Sequence, residues 1–218
     1  MDIPIIENVL KLNDEVASIN RKTLKDAGVY TVDLIGSPGS GKTSLLEATF
    51  KAIGDKVRIG VLVGDLTTAR DATRIAKWCP DVVQINTGKG CHLDANQVRQ
   101  GLDRLKLDEL DILIIENVGN LICPVGFDLG QDAKVGLFSI AEGDDKAAKH
   151  PYIVQEAQIL LLNKMDLLPH VTFDLELFKE DVARINPKVS LQQVSATQGL
   201  IAPWCDWLLS HIAQDCTV

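Results

Sequence analysis

Short runs of apolar residues alternate along the chain with longer segments in which apolar positions recur every three or four residues. The runs predict β-strands, and the longer segments predict amphipathic helices. Strands are predicted at residues 30–35, 57–63, 82–85, 112–115, 135–140, 159–162 and 189–194. Helices are predicted at residues 7–26, 44–53, 69–78 and 93–105. This alternation favours an α/β fold with a mainly parallel sheet that helices cover on both faces.

The first predicted helix stands before this alternation, and Gly28 ends it. No internal repeat, low-complexity run or linker divides the remaining chain, and 218 residues are an ordinary length for one domain. We therefore predict an N-terminal helical appendage over residues 1–27 and one domain over residues 28–218. Ligands of parallel α/β sheets bind beyond the carboxyl ends of the strands, so the functional motifs are expected there.

Composition and charge exclude several classes of protein. Hydrophobic residues make up 46% of the chain and charged residues 24%, which is typical of a globular protein. The net charge is −8 and no basic stripe is visible, so we expect no nucleic-acid surface. Acidic residues interrupt the apolar ones near the N-terminus, and no apolar run approaches the roughly 20 residues that span a bilayer. With five cysteines, an odd number, the chain is expected to lie in the reducing cytoplasm, away from membranes.

A glycine-rich loop directly follows the first predicted strand and fits the pattern G-x-x-x-x-G-K-S/T. A chance glycine turn is the alternative, but the strand before the loop and the helix after it favour a phosphate-binding loop and the P-loop NTPase fold. Lys42 is expected to reach the β- and γ-phosphates, and the Thr43 hydroxyl to bind Mg²⁺. The predicted nucleotide contacts here are Gly36, Ser37, Pro38, Gly39, Ser40, Gly41, Lys42, Thr43 and Ser44.

The sequence Asn163-Lys164-Met165-Asp166 follows a later strand and indicates guanine recognition. A carboxylate at Asp166 can accept hydrogen bonds from N1–H and the 2-amino group of guanine. Adenine lacks that donor pair, and a mismatch of this kind rejects a substrate by roughly 10⁴. Asn163 and Lys164 are expected to clamp the loop and to stack on the base, and Ser195 and Ala196 to supply further groups to it. Alone, the motif is compatible with a polar turn; together with the phosphate loop it predicts a GTPase.

Two acidic residues end predicted strands beside the phosphate loop. Asp65 follows the second strand and Glu116 the fourth, so both are candidates to hold Mg²⁺ directly or through water. Residues 116–119 have the form E-x-x-G, in which the Gly119 N–H would contact the γ-phosphate. Asp71 either orients the attacking water or caps a helix. The predicted catalytic residues are Lys42, Asp65, Asp71 and Glu116.

A second group of side chains has a different chemistry. Cys91 and His92 are adjacent, and Cys123 lies just beyond the E-x-x-G segment. We expect the two loops to leave neighbouring strands and to bring these residues together. Thiolate and imidazole suit Zn²⁺ or Ni²⁺ and not Mg²⁺. Because a closed structural site needs four ligands, three ligands predict a site shared across a two-fold axis. The alternative is a buried thiol beside a helix-start histidine; the remaining Cys79, Cys205 and Cys216 are interpreted as packing or surface thiols.

Taken together, the segments GSPGSGKT, GDLTTARDATR, GKGCHLDA, ENVGNLICP, NKMDLLP and SATQGL resemble the HypB family, GTPases that help to insert nickel into nickel–iron hydrogenase. The resemblance runs from about Gly28 to the end, and GCHLDA with ENVGNLICP is its most specific part. It implies a G domain of the SIMIBI type, the signal-recognition and nickel-insertion branch of P-loop GTPases, and GTP-dependent homodimerisation.

The resemblance also implies a Zn²⁺ or Ni²⁺ site between subunits at Cys91, His92 and Cys123. The implied partners are a HypA-type nickel metallochaperone and the hydrogenase large-subunit precursor. Some members of the family carry an N-terminal cysteine motif or a histidine-rich tract for nickel storage. In this chain no Cys precedes Cys79 and no His precedes His92. Nickel transfer or regulation is therefore expected, and tight storage is not.

Three other functions remain open from the sequence. The first is a sister accessory GTPase, such as those for urease or cobalamin-dependent mutases, which would match less well at GCHLDA and ENVGNLICP. The second is a signalling switch whose cysteines and histidine are structural. The third is a P-loop kinase of small molecules, which the guanine-recognition motif disfavours.

Overall fold

A computed structural model describes residues 9–65 and 70–212. Its centre is a seven-stranded sheet in the order β3-β2-β4-β1-β5-β6-β7, and every pair of neighbouring strands is parallel. The parallel sheet predicted from the sequence is confirmed. The strands are β1 (Tyr30–Gly36), β2 (Ile59–Asp65), β3 (Val82–Asn86), β4 (Ile112–Glu116), β5 (Ala133–Ser139), β6 (Ile159–Asn163) and β7 (Ser190–Gln193).

Helices connect most of the strands. They are α1 (Val9–Asp26), α2 (Lys42–Ile53), α3 (Arg70–Ile75), α4 (Ala95–Leu102), α5 (Lys146–Lys149), α6 (Pro151–Glu156), α7 (Leu175–Ile185) and α8 (Ala202–Ile212). Across residues 9–65 and 70–212, every helix is too short or too polar to span a lipid bilayer. The predicted start of the first helix, at residue 7, lies outside the described residues.

Several predicted boundaries are wrong, each for a local reason. Helix α4 begins two residues late because Asp94 caps it, accepting from the Gln97 N–H at 2.7 Å while the Gln97 side chain accepts from the Asp94 N–H at 3.1 Å. Helix α3 ends at Ile75, where a turn begins in which the Trp78 and Cys79 N–H groups both donate to the Ile75 carbonyl. Its predicted start at residue 69 lies outside the described residues. Strands β1, β2, β4 and β6 extend past their apolar runs to residues 36, 65, 116 and 163, since parallel pairing uses the backbone whatever the side chain is.

Helices cover both faces of the sheet, as the sequence predicts. Alternate strand residues point to opposite faces, so Val61 and Val63 pack with α2, α3 and α8 while Leu62 packs with α1 and α4. At the β5–β6 end, the second face packs against α5, α6 and α7.

Helix α1 packs directly against the domain. The Asn20 side chain is fully buried, and its Nδ2 donates to the carbonyls of Ala95, at 2.8 Å, and Leu129, at 3.1 Å. Gly130 permits this approach, because a Cβ there would lie 2.7 Å from the Asn20 Cβ. The division into residues 1–27 and 28–218 stays a prediction, and the described part of the first segment shares a core with the second.

Strand β1 buries one carboxyl group. Asp33 is completely buried, and its Oδ1 accepts from the Asn117 Nδ2 at 3.0 Å. Burial raises the pKa of Asp33 from 3.8 to about 7, while the hydrogen bond from Asn117 and the charge of Lys134 oppose the rise. The carboxyl therefore prefers to be neutral inside the folded protein.

Replacing this carboxyl should change how stability depends on pH. Between pH 3.8 and about 7, the folded wild-type chain keeps a proton on Asp33 that the unfolded chain has lost, so its free energy of unfolding falls as the pH rises. In Asp33→Asn residue 33 no longer titrates, so this decrease of the free energy of unfolding with rising pH disappears. The stability of the variant relative to wild type should grow by up to roughly 4 kcal/mol over this interval and stay level at higher pH.

Denaturant unfolding at a series of pH values measures the difference, and Asp111→Asn is the control. The hydrogen bond from Arg58 lowers the pKa of Asp111. The stability supplied by Asp111 is therefore lost only as the pH falls below about 4. If the free energies of unfolding of Asp33→Asn and wild type differ by the same amount from about pH 4 to about pH 7, the raised pKa of Asp33 is contradicted.

Candidate functional site

The loops that follow β1, β4 and β6 converge with the end of β2 and with helix α3 at the carboxyl edge of the sheet, as expected for this architecture. They enclose a cavity of about 490 Å³. The predicted residues that line it are Pro38, Gly39, Gly41, Lys42, Thr43, Ser44, Asp65, Asp71, Glu116, Gly119 and Lys164. Ser44 and Ala196 also line an adjoining opening of about 610 Å³. The structure thus brings residues from separate parts of the sequence to one place.

The phosphate loop is tight at Gly41. This residue has φ of +102°, in the region that favours glycine, and a Cβ there would lie 2.4 Å from the Asn163 side-chain nitrogen. The Lys42 ammonium donates to the carbonyls of Gly36, at 3.0 Å, and Ser37, at 3.2 Å. Burial lowers the pKa of Lys42, and neighbouring carboxylates oppose that shift. A buried cation inside a loop of inward-turned backbone is suited to phosphate oxygens.

Thr43 and Glu116 meet on one side of this loop. The Thr43 hydroxyl donates to the Glu116 Oε1 at 2.9 Å, while the other carboxylate oxygen, Oε2, is buried and has no partner among the described residues. Burial raises the pKa of Glu116 to about 7, and the charge of Lys42 opposes the rise. Asp65, at the end of the adjacent strand β2, lines the same cavity. An unpartnered carboxylate oxygen beside a hydroxyl fits Mg²⁺, which takes oxygen ligands.

Helix α3 presents Asp71 to the same cavity. It begins at Arg70, so Asp71 lies inside its first turn. The Arg74 guanidinium lies 3.6 Å from Asp71 and is held by Glu47 of α2, with N···O distances of 2.7 and 3.1 Å. It also donates to the Ser44 hydroxyl at 3.3 Å. Sequence reasoning missed Arg74 and Glu47; the one signal for Arg74 is its place three residues beyond Asp71.

The guanine-recognition motif is joined to both neighbouring loops. The Asn163 side chain donates to the Ser40 carbonyl at 2.9 Å and accepts from the Ala196 N–H at 3.1 Å. Lys164, the one non-glycine residue with positive φ in the described chain, donates to the Gly39 carbonyl at 2.7 Å.

Asp166 is oriented by a neighbouring hydroxyl. The Ser195 side chain donates to one oxygen of the Asp166 carboxylate. A carboxylate held in this orientation has acceptor capacity for a ligand that presents paired N–H donors.

Cys91, His92 and Cys123 form a compact group with one ligand atom each, and these atoms all lie within 4.8 Å of one another. The Cys91 Sγ and the His92 Nδ1 are 3.6 Å apart. Burial lowers the pKa of His92, while the adjacent Cys123 thiol, which hydrogen-bonds with Cys91, raises the pKa of Cys91. The His92 ring packs on Phe127 with centroids 3.9 Å apart. Two thiols and an imidazole at this spacing match the soft donors that Zn²⁺ and Ni²⁺ prefer.

The prediction that the two loops leave neighbouring strands is wrong. Strands β3 and β4, which precede the two loops, are not neighbours, because β2 lies between them. The loop after β3 reaches Cys123 by crossing the end of β2, where the Thr87 N–H donates to the Asp65 carbonyl at 2.9 Å.

Two of the remaining cysteines lie apart from this group. Cys79 and Cys205 are buried in the core as free thiols, which confirms their predicted packing role. Cys216 lies outside the described residues.

Comparison with known proteins gives a consistent result. A family model described as CobW/HypB/UreG, nucleotide-binding domain, matches residues 30–193. The hydrogenase maturation factor HypB of Azotobacter vinelandii is 44% identical over 205 residues, which cover 94% of this chain and 68% of the relative. The chain belongs to the HypB family. A probable HypB of Methanocaldococcus jannaschii is 44% identical over 193 residues, 88% of this chain and 87% of the relative.

Solved structures of HypB proteins share the fold. HypB from Archaeoglobus fulgidus superposes with a TM-score of 0.87 at 39% identity, over 93% of this chain and all of that one. HypB from Helicobacter pylori, solved in complex with nickel, gives 0.89 at 34% identity over 94% and 97% of the two chains. A signal recognition particle 54 kDa protein of Aeropyrum pernix, at 13% identity and a TM-score of 0.55, shares the fold alone. The predicted SIMIBI-type fold and the predicted resemblance to HypB are both confirmed.

Proposed function

We propose that this chain hydrolyses GTP to GDP and phosphate and, as a GTP-dependent homodimer, assists nickel insertion into the large-subunit precursor of nickel–iron hydrogenase. A HypA-type nickel metallochaperone is the proposed partner that exchanges metal with it. One observation carries the proposal: Cys123, one of the three ligands of the thiol–imidazole group, lies on the same short loop as Glu116 and Gly119, which line the cavity at the phosphate loop. Membership of the HypB family supports it.

For hydrolysis, the residues of the cavity have distinct proposed tasks. Lys42 exchanges its carbonyl partners for oxygens of the β- and γ-phosphates and offsets their charge. Thr43, Asp65 and Glu116 would hold Mg²⁺, which would supply positive charge to offset the charge of the phosphate oxygens. Asp71 accepts a hydrogen bond from the attacking water.

Two groups outside this set act on the same reaction. Arg74 fixes the position of Asp71, and the Gly119 N–H contacts the γ-phosphate.

For base selection, Asp166 accepts the N1–H and 2-amino hydrogens of guanine. Ser195 keeps this carboxylate oriented, and Asn163 keeps the base loop attached to the phosphate loop. Lys164 covers the base. An ATP-specific site would gain nothing from a carboxylate held in this way, because adenine presents no matching donors.

For metal handling, Cys91, His92 and Cys123 bind Ni²⁺ or Zn²⁺. The group supplies three ligands and Cys91 is exposed, so the same group of a second subunit can complete the coordination. Because the loop after β4 carries both the cavity-lining residues 116–119 and the metal ligand Cys123, a change between GTP and GDP would alter metal affinity. Linkage requires that metal alters GTP-driven dimerisation equally, by typically 1–3 kcal/mol.

Metal titration in two nucleotide states tests this proposal. The wild-type chain should bind Ni²⁺ with affinities that differ several-fold between a GTP analogue and GDP. Cys91→Ser, Cys123→Ser and His92→Ala should erase that difference and leave GTP-analogue binding intact, because none of these side chains lines the phosphate loop. His170→Ala removes an exposed histidine elsewhere and should behave as wild type.

Equal Ni²⁺ affinity in both nucleotide states of the wild-type chain, at fixed protein concentration, would refute the coupling. Metal binding that survives in all three variants would refute the site itself.

Service to urease is a second candidate. One relative, from Helicobacter pylori, is named a hydrogenase/urease maturation factor HypB and is 39% identical over 202 residues. Hydrogenase and urease assays in a strain that lacks this chain separate the two candidates.

A further inference from the structure

Asn120 lies between the phosphate loop and the thiol–imidazole group and contacts both. Its backbone N–H donates to the Gly36 carbonyl, at the start of the phosphate loop, at 3.1 Å. Its side-chain Nδ2 donates to the Cys91 carbonyl at 3.3 Å, and its Oδ1 accepts from the Ile122 N–H at 2.9 Å. Since Ile122 directly precedes Cys123, this residue is tied to the phosphate loop and to both cysteine-bearing segments.

The residue before Asn120, Gly119, is packed closely against the phosphate loop. A Cβ on Gly119 would lie 2.9 Å from the Pro38 Cγ and 3.0 Å from the Pro38 nitrogen, closer than side-chain Cβ atoms normally approach other atoms. Pro38 belongs to the phosphate loop. Gly119 therefore lies directly against the phosphate loop, and Asn120 is the next residue along the chain.

Asn117, at the start of the loop that carries Asn120, is anchored to the core of the sheet. It is 1% exposed, and its Nδ2 donates to the buried Asp33 carboxyl at 3.0 Å. Its Oδ1 accepts from the Leu93 N–H at 3.1 Å. Leu93 directly follows His92, so the His92 end of the loop after β3 is anchored to the core of the sheet while the Cys91 end of that loop is attached to Asn120.

We propose that Asn120 is the positioning residue that couples the nucleotide to the metal group. This inference rests on the proposed function. When Gly119 moves with the γ-phosphate, Asn120 moves the Cys91 carbonyl and the Ile122 N–H together, while Asn117 holds Leu93 in place. The two sulfur atoms then change position relative to the histidine, and metal affinity follows the nucleotide state.

Two substitutions test the role of the side chain. Asn120→Asp keeps an oxygen that accepts from Ile122 but cannot donate to the Cys91 carbonyl, so it cuts one link without changing shape. Asn120→Ala cuts both side-chain links and keeps the backbone bond to Gly36. Asn120 is half-buried and caps no helix, so both variants are expected to fold.

Asn186, at the end of α7, provides a matched control. Its Nδ2 donates to the Val154 carbonyl at 3.0 Å and its Oδ1 accepts from the Lys188 N–H at 3.1 Å. The Nδ2 also donates to the Gln155 carbonyl at 3.3 Å. The bonding pattern otherwise resembles that of Asn120, and Asn186 lines neither the phosphate-loop cavity nor the metal group. Asn186→Asp should therefore reproduce any general effect of the substitution on folding.

The measured quantity is the ratio of the Ni²⁺ dissociation constant with GDP to that with a GTP analogue. Ni²⁺ binding is monitored through the thiolate-to-nickel absorption band, whose position is recorded as a second readout. In wild type and in Asn186→Asp, the two dissociation constants should differ by about five-fold or more, in either direction. Asn120→Asp and Asn120→Ala should give a ratio near unity, a band whose position no longer depends on the nucleotide, and GTP-analogue affinity close to that of wild type.

The two possible failures are distinguishable. A wild-type ratio retained in both Asn120 variants overturns this inference and leaves the proposed function standing. A ratio of unity in the wild-type chain overturns the proposed coupling, and this inference falls with it. Loss of the ratio in Asn186→Asp as well would assign the effect to folding and also overturn the role of Asn120.

Discussion

A Lys42→Ala variant is expected to hydrolyse GTP about 10²- to 10³-fold more slowly than the wild-type chain. The Lys42 ammonium is the one cation held inside the phosphate loop in the described part of the chain, where it donates to the Gly36 and Ser37 carbonyls. In the proposed mechanism the ammonium offsets negative charge that grows on the transferred phosphoryl group. Removing it leaves that charge without compensation in a partly dehydrated cavity, where electrostatic interactions are strong.

Single-turnover hydrolysis at saturating GTP measures this loss, with circular dichroism as the check of folding. Lys51→Ala is the matched control, because Lys51 lies on the same helix, α2, but is exposed and contacts the Trp78 ring. The control should keep wild-type turnover. Near-normal turnover by Lys42→Ala would remove the phosphate loop from the mechanism.

An Asp166→Asn variant is expected to change the preferred base from guanine to xanthine. The amide keeps an oxygen that accepts from the Ser195 hydroxyl and places its nitrogen where the 2-carbonyl of xanthine accepts a hydrogen bond. Facing guanine, the same nitrogen meets the 2-amino donor, and neither group is satisfied. The ratio of GTP to xanthosine triphosphate affinity should fall by roughly 10⁴.

Competition between the two nucleotides for the purified protein measures this change. Asp206→Asn, at an exposed position on α8, should keep the preference for GTP. Unchanged GTP affinity in Asp166→Asn would show that the base binds elsewhere.

The sequence by itself determined the features that depend on near neighbours. The alternation of strands and helices predicts the parallel sheet, because apolar periodicity follows from which face of an element is buried. The phosphate loop and the residues around Asp166 are recognisable because each motif fits within a few consecutive positions between a strand and its connection. Cys91, His92 and Cys123 were found for the same reason, as unusual residue types beside those motifs.

Only the tertiary structure decided how these pieces meet. The strand order separates β3 from β4, so the loop bearing Cys91 must cross β2 to reach Cys123. The bond between Asp33 and Asn117 joins residues 84 positions apart, and the raised pKa values of Asp33 and Glu116 come from burial by distant segments. The contacts of Asn120 likewise depend on where three loops end. Local patterns do not encode such relations, since burial and hydrogen bonding between distant residues exist only once the sheet has assembled.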